Sequence, residues 1–332
     1  ATGSIEYITF RGLTITNLRN EAGGVINGRC EAIRLKGSTA QPVGYITGER
    51  LIISNLLSGA NAATAVWYNE QTHNLKMWGC TMTNTLYANK TTLNLLAFET
   101  YGTPNVSIQN NFFSNTAGGL FEKEGLKVGV GVGMTVRFNV LNSGQIYVST
   151  QGTSPLMDFH IFTNNILAST KETSHSMPIK LSQSSTSYST TKTQISNNTF
   201  YDYNYNSLGH ITVTSAGYAG VIMFNNIFNE SRDAIRIEPS TDAPEYWDYN
   251  FYQNNILAAQ PRFANRAFPQ ISLATLQSTS TYEQSATTGN PVFQNASSGD
   301  FTLASGSPAL TGGVSGTQQG VYTASFINIG AN

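Results

Sequence analysis

Apolar and polar residues alternate along short stretches of this chain, and the alternation keeps returning in one phrase. From Asn105 it reads "NVSIQNNFFSN", with Val106, Ile108 and Phe113 as the apolar positions around an asparagine pair. Near copies are "HIFTNNIL" from His160, "TQISNNTFYD" from Thr193 and "GVIMFNNIFN" from Gly220. A period of two is that of a strand with one buried face, and no long stretch carries the 3.6-residue period of a helix. Aligned on the second asparagine, the copies put Asn55, Cys80, Asn111, Asn139, Asn165, Asn198 and Asn226 at one position. Leu13 takes that position in an earlier copy, Asn250 or Asn255 in a later one, and Asn164 is the alternative to Asn165.

A second short strand follows each phrase: "EAIRLKG", "AVWYNE", "LLAFET", "GLFEKE", "QIYVST", "PIKLSQ", "HITVTS", "AIRIEP". Val, Ile, Thr and aromatic residues fill these strands, as a pleated, half-buried surface requires. Two or three strands per repeat of about 28 residues, without helices, predict the coils of a parallel β-solenoid. Coils stacked roughly 4.8 Å apart would set one asparagine above the next, so that each amide bonds its vertical neighbour in a ladder. Asparagine also tolerates the left-handed backbone of a sharp bend. The expected organisation is one all-β domain, with coils over residues 1–257 and an irregular segment, 258–332, that packs along or caps them.

That last segment carries a resemblance. "SLATLQ…GNPVF…SGDFTLASGSPAL", from Ser272 onward, is similar to the closing segment of secreted bacterial right-handed parallel β-helix proteins, and the "NNxF" coils resemble the same group. Asn290 stands before Pro291 where the group often has Asp, and the Asp usual after "SPAL" is missing. The resemblance implies a right-handed parallel β-helix of eight or nine coils and secretion to the cell exterior. Many members are polysaccharide lyases, glycoside hydrolases or epimerases, although the closing segment itself says nothing about activity.

Composition narrows the partners. Of 332 residues only 11% are Asp, Glu, Lys or Arg, against roughly 25% in ordinary soluble chains. A net charge of -1 gives no reason to expect nucleic acid or an anionic membrane surface. No apolar run approaches the roughly 18–20 residues of a membrane span. Cys30 and Cys80 match no zinc or CxxC spacing and read as buried free thiols. A low-charge surface rich in Ser, Thr and Asn agrees with an extracellular or cell-surface setting. The chain opens on "SIEYITFRG" with little to cap a first coil, which raises end-to-end stacking or a homo-oligomer as an expectation.

Stacking the second strands gives the candidate site. With Ile33, Val66, Leu96, Leu120, Ile146, Ile179, Ile211 and Ile235 inward, the next residues point out: Arg34, Trp67, Ala97, Phe121, Tyr147, Lys180, Thr212 and Arg236. Two residues on, the same face carries Lys36, Glu99, Lys123 and Glu238. Aromatic faces stack on sugar rings and cations hold carboxylated or sulfated sugars, so this face suits an acidic polysaccharide. The plain alternative is a solvated outer surface. In "GLFEKEG" strict alternation would bury Glu122, so either the strand shifts to turn Glu122 and Glu124 out and Lys123 in, or a bulge occurs there.

Two enzymatic chemistries fit such a face. β-Elimination needs a base, Lys123 or Lys180, and a cation for the developing charge, Arg137, Arg236 or Ca²⁺. Of carboxylates for Ca²⁺, only Glu99, Glu122 and Glu124 come near one another, and no metal site is specified. Hydrolysis needs paired carboxylates, Glu99 with Glu122 or Glu124. β-Elimination is ranked slightly ahead. A non-catalytic fibre, filament subunit, adhesin or phage receptor-binding protein is the alternative. His73, His160, His175 and His210 lie in different coils without metal-ligand spacing, and only His160, near Asp158, has an acidic neighbour.

Overall fold

The structure, a computed structural model, describes residues 5–18, 21–22, 25–26, 31–38, 41, 43–58, 65–70, 72–87, 96–101, 105–114, 119–121, 123–124, 134–142, 145–150, 159–168, 178–183, 192–201, 210–213, 220–229, 234–237, 244–253 and 271–322. Strands dominate them, and nearly all strands pair in parallel. A first sheet of ten strands sets Val43–Glu49, Thr72–Trp78, Val106–Gln109, Met134–Arg137, Phe159–Thr163, Lys192–Ser196, Gly220–Phe224 and Tyr246–Asp248 side by side. A second, also of ten, runs through Ile52–Ser58, Thr81–Tyr87, Phe112–Ser114, Val140–Asn142, Ile166–Ala168, Thr199–Tyr201, Ile227–Phe228 and Phe251–Gln253. The second strands of the repeats form a third layer in two pieces. Ile33–Lys36, Ala65–Glu70, Leu96–Tyr101 and Lys123–Glu124 make a four-stranded sheet; Gly119–Phe121, Gln145–Thr150, Ile179–Gln183, Ile211–Val213 and Ile235–Ile237 make a five-stranded one. Each repeat thus gives one strand to each layer in turn, and pairing joins residues one repeat apart.

The alternation read from the sequence becomes rows of buried side chains. In the first sheet Met77, Ile108, Val136, Phe162, Ile195, Met223 and Trp247 lie in register, all buried. The second sheet's row includes Phe113, Leu141, Leu167, Phe200, Phe228 and Tyr252. Its last three rings stack at 5.0 and 5.3 Å between centroids. Each such side chain is worth about 1.5–3 kcal/mol of burial, so the rows account for why the repeats stay in register.

The asparagine pair divides two tasks. The connection from first to second sheet is two residues long in every described repeat. Its first residue always takes positive φ: Gly12, Arg50, Gly79, Asn110, Phe138, Asn164, Asn197, Asn225 and Tyr249, between 52° and 64°. The residue after it carries the ladder. Asn111 Nδ2 donates to Asn139 Oδ1 at 2.9 Å, Asn139 to Asn165 and Asn165 to Asn198 at 3.0 Å, Asn198 to Asn226 at 3.0 Å, and Asn226 to Asn250 at 2.9 Å. Each accepting Oδ1 also receives the backbone N–H of the preceding ladder residue. The phase is therefore Asn165, not Asn164, and the later copy uses Asn250. Asn55 is a correction: Ile52 pairs with Thr81, so Leu51 is level with Cys80, and Asn55 instead holds a separate bend at φ 55°.

Beyond Asn250 the ladder ends on an acid. Asn250 Nδ2 donates to Glu283 Oε1 at 2.7 Å and Asn250 N to Oε2 at 3.3 Å, while Tyr252 Oη donates to Oε1 at 2.5 Å. The helix Leu273–Thr279, capped by Ser272, buries Leu273 and Leu276 against the main core. Thr287–Gly289 then pairs with Phe251–Gln253. Further on, Phe301 and Val321 pack on Ile166 and Ala168, and Leu303 and Ala309 on Ile227 and Phe251, over the second sheet's outward side. No helix among the described residues is long and apolar enough to cross a membrane.

Candidate functional site

Register, not alternation alone, decides which second-strand residues share a face. Ile33 pairs with Trp67 and Trp67 with Phe98, whereas alternation sets Val66 and Leu96 level with Ile33, shifts of one and two residues. Trp67 is consequently 0% exposed and belongs to the core, a correction to its assignment as a sugar platform. Room for its indole comes from Gly48, where a Cβ would lie 2.2 Å from the ring. With this phase the row of Arg34 continues through Tyr68 and Glu99, and the row of Lys36 through Glu70, Tyr101 and Glu124. Over these four strands the corrected rows hold five charged residues, Arg34 and Lys36 against Glu70, Glu99 and Glu124, and two aromatics, Tyr68 and Tyr101, so the net charge turns from the expected +2 to -1. Arg34 and Lys36 are exposed, and Arg34 Nη1 meets Glu31 Oε2 at 3.4 Å.

Around "GLFEKEG" the pairing is irregular, as the break in alternation there leads one to expect. The register shifts between Gly119 and Phe121, and Phe121 pairs with the buried Ile146, so it leaves the outward row. Lys123 pairs with Thr100, and Glu124 with Tyr101. Lys123 thus falls out of the outward row that was to supply a base. Glu99 and Glu124 become diagonal neighbours, a backbone separation of roughly 7–8 Å, rather than directly opposed. Glu122 and Glu238 lie outside the described residues.

In the five-stranded piece, Tyr147, Lys180, Thr212 and Arg236 form one row. Thr212 and Arg236 are 0% and 6% exposed, so Arg236 is not a surface cation open to a polymer, another correction. Arg137 is exposed but stands on the first sheet, away from Lys123 and Lys180. The structure therefore brings Tyr147 and Lys180 together at adjacent strands, and Arg34, Glu99, Lys36 and Glu124 in two parallel rows, but does not assemble the base–cation set expected.

His160 is fully buried between Met134 and Thr193 in the first sheet, and Asp158 lies outside the described residues. His210 is buried too, and burial pushes its imidazole down to about 3, leaving it neutral. Both are core residues. Among the described residues no group of three His, Cys, Asp or Glu side chains stands ready to hold a metal ion. Two features escaped the sequence reading. One is Glu283, whose only outward sign is a lone acid in the polar run "TYEQS". The other is the contact of Arg50 with Trp78: alternation turns Trp78 outward beside Glu49, but it does not place Arg50, which follows at the bend. No family of known proteins, no curated protein and no solved structure matches this chain.

Proposed function

We infer that the chain is a right-handed parallel β-helix of the secreted, carbohydrate-active kind, which binds an acidic polysaccharide along its third layer and cleaves it. Support comes foremost from the third layer as a whole: the in-register rows Arg34–Tyr68–Glu99 and Lys36–Glu70–Tyr101–Glu124 bring two aromatics, two cations and three carboxylates together in a chain poor in charge, and Lys180 and Arg236 further along add two more cations. Strands spaced roughly 4.8 Å apart repeat at about the length of one sugar residue, so a polymer lying across them meets one strand per sugar.

β-Elimination ranks ahead of hydrolysis. A base removes the proton beside the uronate carboxylate, the electron pair forms a double bond, and the glycosidic oxygen leaves with a proton. Lys180 is the base and Tyr147, one strand away, supplies the proton to the leaving oxygen. Arg236, always cationic and two strands beyond Lys180, lends fixed positive charge to that end of the row. Hydrolysis stands second, and in its inverting form: the diagonal placing of Glu99 and Glu124 is too wide for a retaining pair, about 5 Å apart, and suits the roughly 6.5–9.5 Å of an inverting one.

The test is incubation with alginate, pectate and chondroitin, following absorbance from unsaturated ends. Wild type is expected to produce that absorbance on one of them, and Lys180→Ala to lower the rate about 100-fold or more. Reducing ends without absorbance would replace elimination by hydrolysis. Binding without either product would favour the non-catalytic adhesin or fibre, and neither binding nor products would end the carbohydrate reading.

A further inference from the structure

A second concentration of charge lies on the outward face of the first sheet. In register just before the two-residue bends come Arg11, Glu49, Trp78, Gln109 and Arg137. Lys76 is exposed two residues before Trp78. Arg11 Nε lies 2.7 Å from Glu49 Oε2, and Arg50 Nε 3.8 Å from Glu49 Oε1. Arg50 then crosses Gly79, where a Cβ would sit 3.7 Å from its Cγ, and sets its guanidinium 5.6 Å from the Trp78 ring centre. Arg137 lies over Phe138 at 5.7 Å. Positions 11, 49, 50, 76 and 137 are four cations and one anion, a local charge of +3 in a chain whose net charge is -1.

This arrangement is held before any ligand arrives. Glu49 pairs with Arg11 and stands beside Arg50, and the Trp78 ring lies beside the Arg50 head, which biases these exposed side chains and lowers the freedom lost on binding. Flat aromatic area beside spaced guanidinium groups matches a sugar chain carrying carboxylate or sulfate groups. A net +3 is too little for a nucleic acid, whose binding rests on many phosphate contacts. We propose that this face is a second, non-catalytic binding strip for an acidic glycan, with Trp78 against a sugar face and Arg50 and Arg137 on acidic groups about three sugars apart. The inference rests on the proposed function for its ligand class and on none of its residues.

Native electrophoresis in gels containing alginate, pectate, chondroitin sulfate or neutral dextran tests it. Wild type is expected to be slowed by an acidic polymer and not by dextran. Arg50→Gln with Arg137→Gln should weaken that retardation about tenfold, as should Trp78→Ala, while Lys180→Ala should leave it in place; circular dichroism verifies that each variant is folded. A double arginine variant that is slowed like wild type overturns the strip. So does equal retardation by duplex DNA, or no retardation of wild type by any polymer. Retardation lost only with Lys180→Ala overturns the strip and leaves the third-layer reading standing; retardation that depends on the two arginines, with no elimination products from any polymer, keeps the strip and overturns cleavage at the third layer.

Discussion

Glu283 offers the sharpest quantitative test of how the repeats are closed. Its carboxyl takes the place of a ladder amide, accepting from Asn250 and Tyr252, and it is 0% exposed. Burial raises it from 4.5 to about 7, against the lowering effect of those hydrogen bonds, with nearby Asp248 raising it further. The fold therefore binds a proton that the unfolded chain has released between these two values. Stability from this group is complete below about pH 4.5 and falls as pH rises through about 7. At 1.36 kcal/mol per pH unit, the loss is roughly 3 kcal/mol. His210 works in the opposite sense: its value falls from 6.5 to about 3, so its contribution is complete above 6.5 and declines towards acid. The raw pH profile mixes the two, and Glu283→Gln separates them. Glutamine keeps an accepting oxygen but cannot ionise. Urea unfolding followed by the fluorescence of Trp247, which donates to Tyr252 Oη at 3.2 Å, should show wild type losing roughly 3 kcal/mol relative to the variant between pH 4 and pH 8. Parallel profiles for the two proteins would refute the buried acid.

Other outcomes follow from the same packing. Asn198→Ala strips the acceptor from Asn165 N and the donor to Phe162 O, and should cost about 2–4 kcal/mol in urea unfolding. Asn197→Gly, one residue earlier at φ 54°, should change stability by less than about 1 kcal/mol; similar losses for both would remove the division of tasks. Gly48→Ala should destabilise by about 1–3 kcal/mol and shift tryptophan emission to the red, because its Cβ would collide with Trp67. The Cys80 thiol, pushed up to about 11 by burial, should resist thiol reagents at pH 8 in a Cys30→Ser background and react once the chain unfolds.

Sequence alone carried the ladder well because its spacing is anchored. Two residues separate the first and second strands in every described repeat, so the pairs "NN" that begin at Asn110, Asn164, Asn197 and Asn225 all mark the same corner. Asn55 misled because Leu51 fills the ladder position there, and a neighbouring asparagine served another bend. The second strands have no such anchor. Their distance from the corner varies, and "AVWYNE" alternates equally well in either phase; only Gly48, on the first sheet two strands earlier, reveals that the larger Trp67 faces in. Arg236 was misplaced for a different reason. Its phase was correct, but nothing local to "AIRIEP" says that this end of the row is covered. Glu283 was invisible because its partners, Asn250 and Tyr252, lie some thirty residues away.

The unvarying two-residue corner also says where this molecule can change. Elsewhere within the repeats, up to Phe251–Gln253, the gap between successive strands runs from one residue, as between Ala65–Glu70 and Thr72–Trp78, to ten, between Ile166–Ala168 and Ile179–Gln183. A single codon gained between Asn164 and Asn165 would throw the side chains of Ile166–Ala168 onto the opposite side of their sheet or break the ladder at that corner. The same gain after Ala168 would merely lengthen a link whose cost grows only with the logarithm of its length. Lineages that adapt this scaffold to new targets should therefore differ in those links, and a laboratory graft belongs there too.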